Sequence, residues 1–260
     1  MKTFVSILFL VGLTMFLQAC MFNKNTQAIN DQDWPSFGRD FTSQRFSPSI
    51  QINQQNVKQL TQAWTYKSGV VGSFQTTPIV QKGIMYVSLP YNHVAALDAK
   101  TGKEIWRYTH DRREDWKMCC GPANRGVAVS NEQVFIGTVD ARLIALNAKT
   151  GVKLWDMNVV DAAITTEGQD ALDKNDPNSV RKVTGGTGIG IAMAPVVYKG
   201  KVIVGITGVG YGLHIDNPTA DAPLGAVIGV AGRYGRPGFL AAYDVANGKR
   251  VWQFDTIPNK

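Results

Sequence analysis

The three cysteines are the residues of this chain with the clearest chemical potential. Cys20 follows an apolar leader, whereas Cys119 and Cys120 are adjacent. Two leftover thiols of an exported protein meet an oxidising compartment and are expected to pair. Neighbouring Cα atoms lie about 3.8 Å apart, so a Cys119–Cys120 bridge would close a small, strained ring, and such strain concentrates at functional sites. Two free or metal-bound thiols are the alternative, although no histidine or further cysteine at metal-ligand spacing supports zinc.

The first twenty residues predict export. Lys2 precedes the apolar run Phe4–Phe16, which has the length of a signal-peptide core and is short for a bilayer span. Ala19 before Cys20 resembles the lipobox of bacterial lipoproteins, in which the cysteine is acylated and becomes the new N-terminus. An ordinary secretory signal with an incidental cysteine is the alternative. Because the residue after Cys20 is not Asp, we expect a periplasmic protein anchored by lipid in the outer membrane.

The composition is that of a folded, glycine-rich globular protein. The chain has 260 residues, 26 of them Gly, with 44% hydrophobic and 18% charged residues. These values exclude a collagen, a coiled coil and a polytopic membrane protein. The formal charge of +7 comes from scattered basic residues, so we predict no nucleic-acid partner.

A repeated pattern shows how the rest of the chain must be organised. The pattern Ala-x-Asp/Asn, two residues, Thr/Asn-Gly, three residues, Trp occurs at 96–106, 145–155 and 242–252. Each copy is typical of a strand, a turn and a second strand, with Gly free to take a positive φ and Trp free to stack on the next unit.

A second hairpin precedes each copy, at 78–87, 126–136 and 194–204. Two hairpins give four strands, and repeated four-stranded units predict an all-β fold of β-propeller blades. The segments 158–190 and 213–238 are interpreted as loop insertions in this pattern.

Trp64 is interpreted as belonging to a lone outer strand. Three blades are fewer than the four to eight of a closed ring, so we expect an incomplete ring. Its open blade edge would be covered by a partner chain.

Further motifs resemble the pyrroloquinoline quinone (PQQ)-dependent alcohol dehydrogenases. Asp33-Trp-Pro-Ser-Phe-Gly-Arg-Asp40 is similar to the opening of these enzymes, the Trp repeats resemble their tryptophan-docking motifs, and 119–126 resembles their adjacent-cysteine element. The resemblance covers about residues 33–257. It implies an eight-bladed periplasmic enzyme that oxidises alcohols or aldehydes with PQQ and a Ca²⁺ or lanthanide ion on its axis.

The resemblance also implies roles for individual residues. Cys119 and Cys120 match the disulfide ring that stacks on the quinone. Arg125 matches the arginine near the reactive quinone oxygens, where its charge stabilises developing negative charge. Thr207 and Gly208 match the stretch that bonds the PQQ carboxylates.

Three positions depart from the family pattern. Gln75 stands where a cofactor-contacting Glu is usual, and Ala192 stands where a Thr is usual. Gly210 stands where a metal-binding Glu is usual, and aligning a local duplication instead puts Arg233 there. Neither residue offers the oxygen ligand that a hard cation needs. The resemblance places the catalytic base and the remaining metal ligands beyond Lys260, so we predict no catalytic residue and no metal ligand in this chain.

These observations leave three hypotheses open. The chain is the N-terminal part of a PQQ-dependent alcohol dehydrogenase that is inactive alone, a non-catalytic propeller lipoprotein that binds partners, or a decayed or split remnant of the enzyme. In each case we predict a lipoprotein signal peptide at 1–19, a flexible tether at 20–32 and a partial propeller at 33–260.

Overall fold

A computed structural model describes residues 30–111, 124–159, 190–206 and 238–258, and the backbone of 183–184 and 214–215. Regular structure within these residues is almost entirely β, with two 3-10 turns at Val57–Gln59 and Pro90–Asn92. No helix among them is long and apolar enough to cross a bilayer. The all-β prediction is therefore confirmed.

Three antiparallel four-stranded sheets, here called blades, succeed one another along the chain. Blade 1 consists of β1 (Ile79–Gln81), β2 (Ile84–Ser88), β3 (Val94–Asp98) and β4 (Glu104–Tyr108). Blade 2 consists of β5 (Ala128–Ser130), β6 (Gln133–Gly137), β7 (Arg142–Asn147) and β8 (Lys153–Asn158). The short strand β9 (Val183–Thr184) lies between blades 2 and 3 in the chain. Blade 3 consists of β10 (Val196–Tyr198), β11 (Lys201–Ile206), β13 (Phe239–Asp244) and β14 (Arg250–Asp255), with β12 (His214–Ile215) between its second and third strands.

In each blade, the first two strands are a hairpin expected from the sequence, and the last two strands are a Trp repeat. The described residues of the two insertions contain a regular feature that the sequence did not predict. In it, β9 of the first insertion pairs antiparallel with β12 of the second, with Thr184 opposite His214 and Val183 opposite Ile215. The two insertions are therefore joined to each other through backbone pairing.

The turn within each Trp repeat explains why the three repeats have the same spacing. In blade 1 the Asp98 carboxylate accepts hydrogen bonds from the backbone N–H groups of Lys100 and Thr101 at 3.1 and 2.7 Å. The next residue, Gly102, has φ +70°, which a residue with a side chain adopts only under strain. In blade 2 the Asn147 side chain accepts the equivalent bonds.

Each Trp joins one blade to the next. The indole N–H of Trp106 donates to the Ala148 carbonyl at 2.9 Å, and that of Trp155 donates to the Val245 carbonyl at 3.0 Å. Each indole also lies flat against the glycine of the neighbouring turn, where a Cβ would collide with the ring. The predicted tryptophan docking is therefore present between blades 1 and 2 and between blades 2 and 3.

Trp64 docks in the same way on blade 1. Its indole N–H donates to the Ala99 carbonyl at 3.2 Å, and its ring covers Gly102. Residues 61–68, however, are extended without forming a ladder within the described part of the chain. The lone outer strand is thus present as a docked segment held by side chains. Trp252 of β14, the last member of the series, is 40% exposed.

The blades are arranged side by side with their first strands running in one direction. Thr77 and Gly126, just before β1 and β5, form a parallel bridge. All three sheets therefore share two ends. The turn end carries the β1–β2 and β3–β4 turns and their equivalents, and the loop end carries the β2–β3 connections and the passages between blades. Fully buried aliphatic and small residues pack between neighbouring sheets, including Ala96, Ile136 and Ala145.

The segment after residue 32 crosses the first strands of the blades. Trp34 exchanges two backbone hydrogen bonds with Val80 of β1, at 2.8 and 2.9 Å. Further along, the Phe41 ring contacts the Tyr198 ring of β10 edge-on, with centroids 5.4 Å apart. This one segment therefore contacts both blade 1 and blade 3.

Candidate cofactor site at the loop end

The stretches that lead into the first strands of the three blades are hydrogen-bonded side by side. The Thr77 N–H donates to the Arg125 carbonyl at 3.2 Å, and the Arg125 N–H donates to the Ala192 carbonyl at 3.1 Å. Gln75 lies two residues before Thr77. The structure thus joins Thr77, Arg125 and Ala192 in one rim at the loop end, and Gln75 lies close to this rim in the sequence.

The rim residues differ in what they offer to a ligand. Arg125 and Gln75 are exposed, and Arg125 forms no ion pair with any described residue. Ala192 is buried, with 4% of its surface exposed. The rim therefore presents the guanidinium of Arg125 and the neutral amide of Gln75. At Ala192 it offers only backbone groups and a methyl group.

Gly126 allows the close approach of the neighbouring stretches. Its φ is +137°, and a Cβ there would lie 3.2 Å from the Thr77 carbonyl oxygen and 3.4 Å from the Ala194 Cβ. A side chain at this position would push the stretches apart. Close packing against the neighbouring stretches thus explains why the last position of the motif at 119–126 is a glycine.

Asn124 fixes the chain immediately before Arg125. Its side chain is buried, donates to the Gly137 carbonyl at 2.9 Å and accepts the Gly126 N–H at 3.0 Å. The Ser88 hydroxyl donates to the Asn124 carbonyl at 3.4 Å. Because these bonds come from blades 1 and 2, the position of Arg125 is set by both blades.

A buried contact between His110 and Asp140 joins blades 1 and 2 at the same end. His110 is 4% exposed, and its Nε2 lies 3.0 Å from both carboxylate oxygens of Asp140, in the β6–β7 turn. The His110 N–H donates to Nδ1 of His93 at 2.9 Å. His110 is therefore a buried residue whose partner comes from the next blade.

The electrostatics of this cluster favour an ionised Asp140. Burial acts to raise the pKa of Asp140, but the hydrogen bond and charge of His110, with a bond from Thr138, outweigh it and lower the pKa. Burial raises the pKa of the neighbouring Tyr108 to about 12, with the negative charges of Asp156 and Asp140 adding to the effect. The carboxylate is thus held as an anion between the blades.

Most of the other predicted site residues lie outside the described part of the chain. They are Cys20, Cys119, Cys120, Thr207, Gly208, Gly210 and Arg233. The pairing of the cysteines and the roles of the other positions stay predictions. Among the described residues, no cluster of three or more His, Cys, Asp or Glu could hold a metal ion.

The described rim fits one part of the PQQ molecule. PQQ is a planar quinone with several carboxylates, so an exposed guanidinium and an amide donor suit its oxygens. Arg125 and Gln75 supply these donors, and the Arg125–Ala192 hydrogen bond keeps the backbone of the rim in place. The fit concerns the oxygens of the quinone, since no ring-stacking residue of the site is among the described residues.

The comparisons with known proteins agree with the propeller blades. Residues 34–260 match the family model described as glucose/ethanol/alcohol dehydrogenase, beta-propeller domain, of the PQQ type. The chain belongs to this family. The resemblance seen in its motifs and the propeller class are both confirmed.

The similar proteins are quinone-dependent alcohol dehydrogenases. The quinohemoprotein alcohol dehydrogenase of Comamonas testosteroni is 36% identical over 233 residues, which are 89% of this chain and 27% of that protein. The dehydrogenase subunit of the alcohol dehydrogenase (quinone) of Gluconobacter oxydans is 33% identical over 87% of this chain and 25% of its own length. The chain thus spans about a quarter of the length of the curated relatives it matches.

Solved structures of the same class have the same arrangement of strands. The Comamonas testosteroni enzyme superposes with a TM-score of 0.63 and 34% identity, over 88% of this chain and 28% of that one. A europium-containing methanol dehydrogenase superposes with a TM-score of 0.64 and 30% identity, over 86% of this chain and 32% of that one.

Proposed function

We propose that this chain supplies part of the cofactor site of a periplasmic PQQ-dependent dehydrogenase that oxidises primary alcohols. The observation that supports the proposal is the rim, where backbone hydrogen bonds join Thr77 to Arg125 and Arg125 to Ala192, and Gln75 lies two residues before Thr77. Family membership supports the same cofactor. PQQ, when bound, accepts the electrons removed from the alcohol.

The role of this chain in that chemistry is to bind and orient. Arg125 is exposed at the rim, so its guanidinium is available to a carboxylate or quinone oxygen and favours negative charge there. The Asn124 hydrogen bonds hold the Arg125 backbone, which reduces the entropy lost when the side chain binds. Gln75 offers a neutral amide, so it binds an oxygen without contributing charge.

For the remaining site residues, the proposal is supported only by the resemblance to the family. Cys119 and Cys120 would form the disulfide platform beneath the quinone, and Thr207 and Gly208 would bond its carboxylates. A Ca²⁺ or lanthanide ion would accompany the cofactor, with ligands outside this set because Gly210 offers no carboxylate. We propose that the chain does not oxidise alcohols alone.

Binding of PQQ tests the proposal directly. Titration of PQQ into the protein should quench intrinsic tryptophan fluorescence saturably, and Arg125→Gln should weaken binding about tenfold or more, because a charge-assisted hydrogen bond is lost. Arg250→Gln, which removes the same charge from the turn end, is the matched control. Saturable binding that is equally strong in both variants would remove Arg125 from the site.

Two further measurements separate the hypotheses. Dye-linked ethanol oxidation by the isolated chain with PQQ and Ca²⁺ should be absent, and turnover would refute the claim that it is inactive alone. Alkylation without reductant, read by mass spectrometry, should leave Cys119 and Cys120 unlabelled, whereas full labelling would remove the disulfide platform.

A non-catalytic propeller that binds partners is the second candidate function. Ala192 favours it, because its methyl group cannot form the hydrogen bond of the usual Thr. A chain that folds but does not bind PQQ at all would support this candidate.

We also propose that Cys20 carries the lipid anchor and that the protein is held at the outer membrane from the periplasmic side. The support is the leader Phe4–Phe16 followed by Ala19 and Cys20. Mass spectrometry of the N-terminal peptide should show an acylated cysteine, and Cys20→Ser should abolish both the modification and membrane fractionation. An unmodified Cys20 in membrane-bound protein would contradict the anchor.

A further inference from the structure

The turn end of the three blades is rich in exposed basic side chains. Two lie in the turns after the first strands, Lys82 and Lys199. Others lie in or beside the Trp-repeat turns: Lys100, Lys103, Lys149, Lys153, Lys249 and Arg250. Because the first strands run in one direction, these turns all belong to one end of the molecule.

Most carboxylates at this end already accept hydrogen bonds from the backbone or form ion pairs. Asp98 and Asp244 accept backbone N–H groups of their own turns, so their oxygens are directed at the backbone. Glu132 pairs with Lys149 at 2.7 Å, and Glu104 pairs with Arg107 at 2.8 Å.

Several lysines at the turn end are therefore left without a carboxylate. Within the described residues, Lys82, Lys100, Lys103, Lys199 and Lys249 form no ion pair. Their charges face solvent from blades 1 and 3, with Lys149 and Lys153 between them on blade 2. The turn end thus carries lysines without an ion pair on blades 1 and 3, whereas Lys149 and Lys153 of blade 2 are paired with Glu132 and Asp156.

The loop end has a different charge pattern in the part of the chain that is described. Asp140 and Arg142 there are each paired, with His110 and Asp156 respectively. The exposed charges outside the turn end include Asp111, Arg125 and Lys67, so both signs are present. Positive charge is therefore concentrated at the end away from the cofactor rim.

The chain also reaches the blades at the turn end. Asp33 accepts a hydrogen bond from the Lys82 N–H at 3.0 Å, and Trp34 pairs with Val80 next to it. Residue 33 follows the predicted acylated Cys20 closely, and the connection can span at most about 45 Å when fully extended. A lipid anchor at Cys20 would therefore be connected to the blades at the turn end, by a segment of at most this length.

We propose that the turn end is a docking surface for an anionic phospholipid bilayer. Lysines near such a surface each contribute attraction to the lipid headgroups, and a basic patch adds to a lipid anchor. A bilayer fits better than nucleic acid, because the lysines lie on separate turns of three blades and the anchored chain enters at the same end. The proposal goes beyond PQQ binding and does not depend on it.

Vesicle sedimentation tests the surface in the absence of the anchor. The full chain carrying Cys20→Ser, which cannot be acylated, is mixed with phosphatidylcholine vesicles or with equimolar phosphatidylcholine and phosphatidylglycerol. Binding should favour the anionic vesicles and weaken as salt is raised. The triple change K100Q/K199Q/K249Q should lower anionic binding by up to about a hundredfold, at about fivefold per lysine.

A single exchange at each end provides the matched comparison. Lys67 is exposed and adjoins Ser68, whose carbonyl accepts a hydrogen bond from Arg107 of the outer strand of blade 1. K67Q therefore removes one charge outside the turn end and should leave vesicle binding unchanged, whereas K100Q should lower it about fivefold. Equal losses in the two variants would show a net-charge effect and overturn the proposal.

Three other results bear on the surface. Equal binding to neutral and anionic vesicles would overturn it. Binding to double-stranded DNA as tight as to anionic vesicles, at matched phosphate concentration and with the same lysine dependence, would overturn the assignment to lipid. PQQ binding that is unchanged in the triple variant would show that its fold and rim are intact, so a loss of vesicle binding would then support the docking surface.

Discussion

Replacement of Gly151 by Ala isolates the contribution of tryptophan docking to stability. Gly151 has φ +71°, and the Trp106 ring of the preceding blade covers it. A Cβ at this position would lie 2.5 Å from Cε3 and 2.8 Å from Cδ2 of the indole. The alanine methyl group and the ring cannot occupy these positions together, so the indole or the turn must move.

Gly83 is the matched control for this substitution. Its φ is +78°, nearly the same as that of Gly151, but a Cβ there would have no atom within 4 Å. Alanine in this backbone conformation costs about 1–2 kcal/mol at both positions. Displacement of a packed ring adds about 1–3 kcal/mol at Gly151 alone.

Urea denaturation measures the difference. Gly151→Ala should lower the free energy of unfolding by about 2 kcal/mol more than Gly83→Ala. With a slope of about 2 kcal/mol per molar urea, the midpoint should fall by about 1 M more. Equal midpoints for the two variants would refute the idea that close packing of indole on glycine holds blades 1 and 2 together.

Three further substitutions test the contacts between blades. Trp155→Phe keeps an aromatic ring but loses the hydrogen bond to Val245, so it should cost about 1 kcal/mol in urea denaturation, and an unchanged midpoint would contradict that bond. Asn124→Ala should cost about 1–3 kcal/mol and weaken PQQ binding, because two buried backbone groups lose their partner; loss of stability with intact binding would deny that Asn124 positions Arg125. Asp140→Asn should cost about 1.5–3 kcal/mol at neutral pH, since the folded pKa of Asp140 is lowered and the carboxylate contributes stability above about pH 4. That difference should shrink as the pH falls through the folded pKa, and a pH-independent difference between wild type and variant would refute a stabilising role of the ionised Asp140 carboxylate.

The blades were predictable because their information is local. A Trp repeat contains its own turn residues, so Asp98 and Gly102 identify the hairpin without reference to the rest of the chain. The hairpin before each repeat is equally local, and its expected bounds agree with the observed strands. The rim was predictable only through the family motif, since Gln75, Arg125 and Ala192 are far apart in the sequence.

Features that depend on contacts between distant segments were missed. The buried side chain of His110 contacts Asp140 on the next blade, and nothing in the sequence near His110 indicates that partner. Pairing of β9 with β12 joins two segments of two residues each, which is too short for a recognisable strand pattern. Asn124 was visible in the adjacent-cysteine motif, but its role requires the carbonyl of Gly137 from blade 2.

The crossing of the early segment from Val80 to Tyr198 has a consequence for how the protein matures. A ribosome releases Trp34 and Phe41 long before it has synthesised the strand that contains Tyr198, and contacts so far apart in sequence are slow to form. The first two blades can thus associate while Phe41 still lacks its aromatic neighbour. Only the synthesis of the third blade completes that contact, so the link between blades 1 and 3 is among the last contacts that the nascent polypeptide forms.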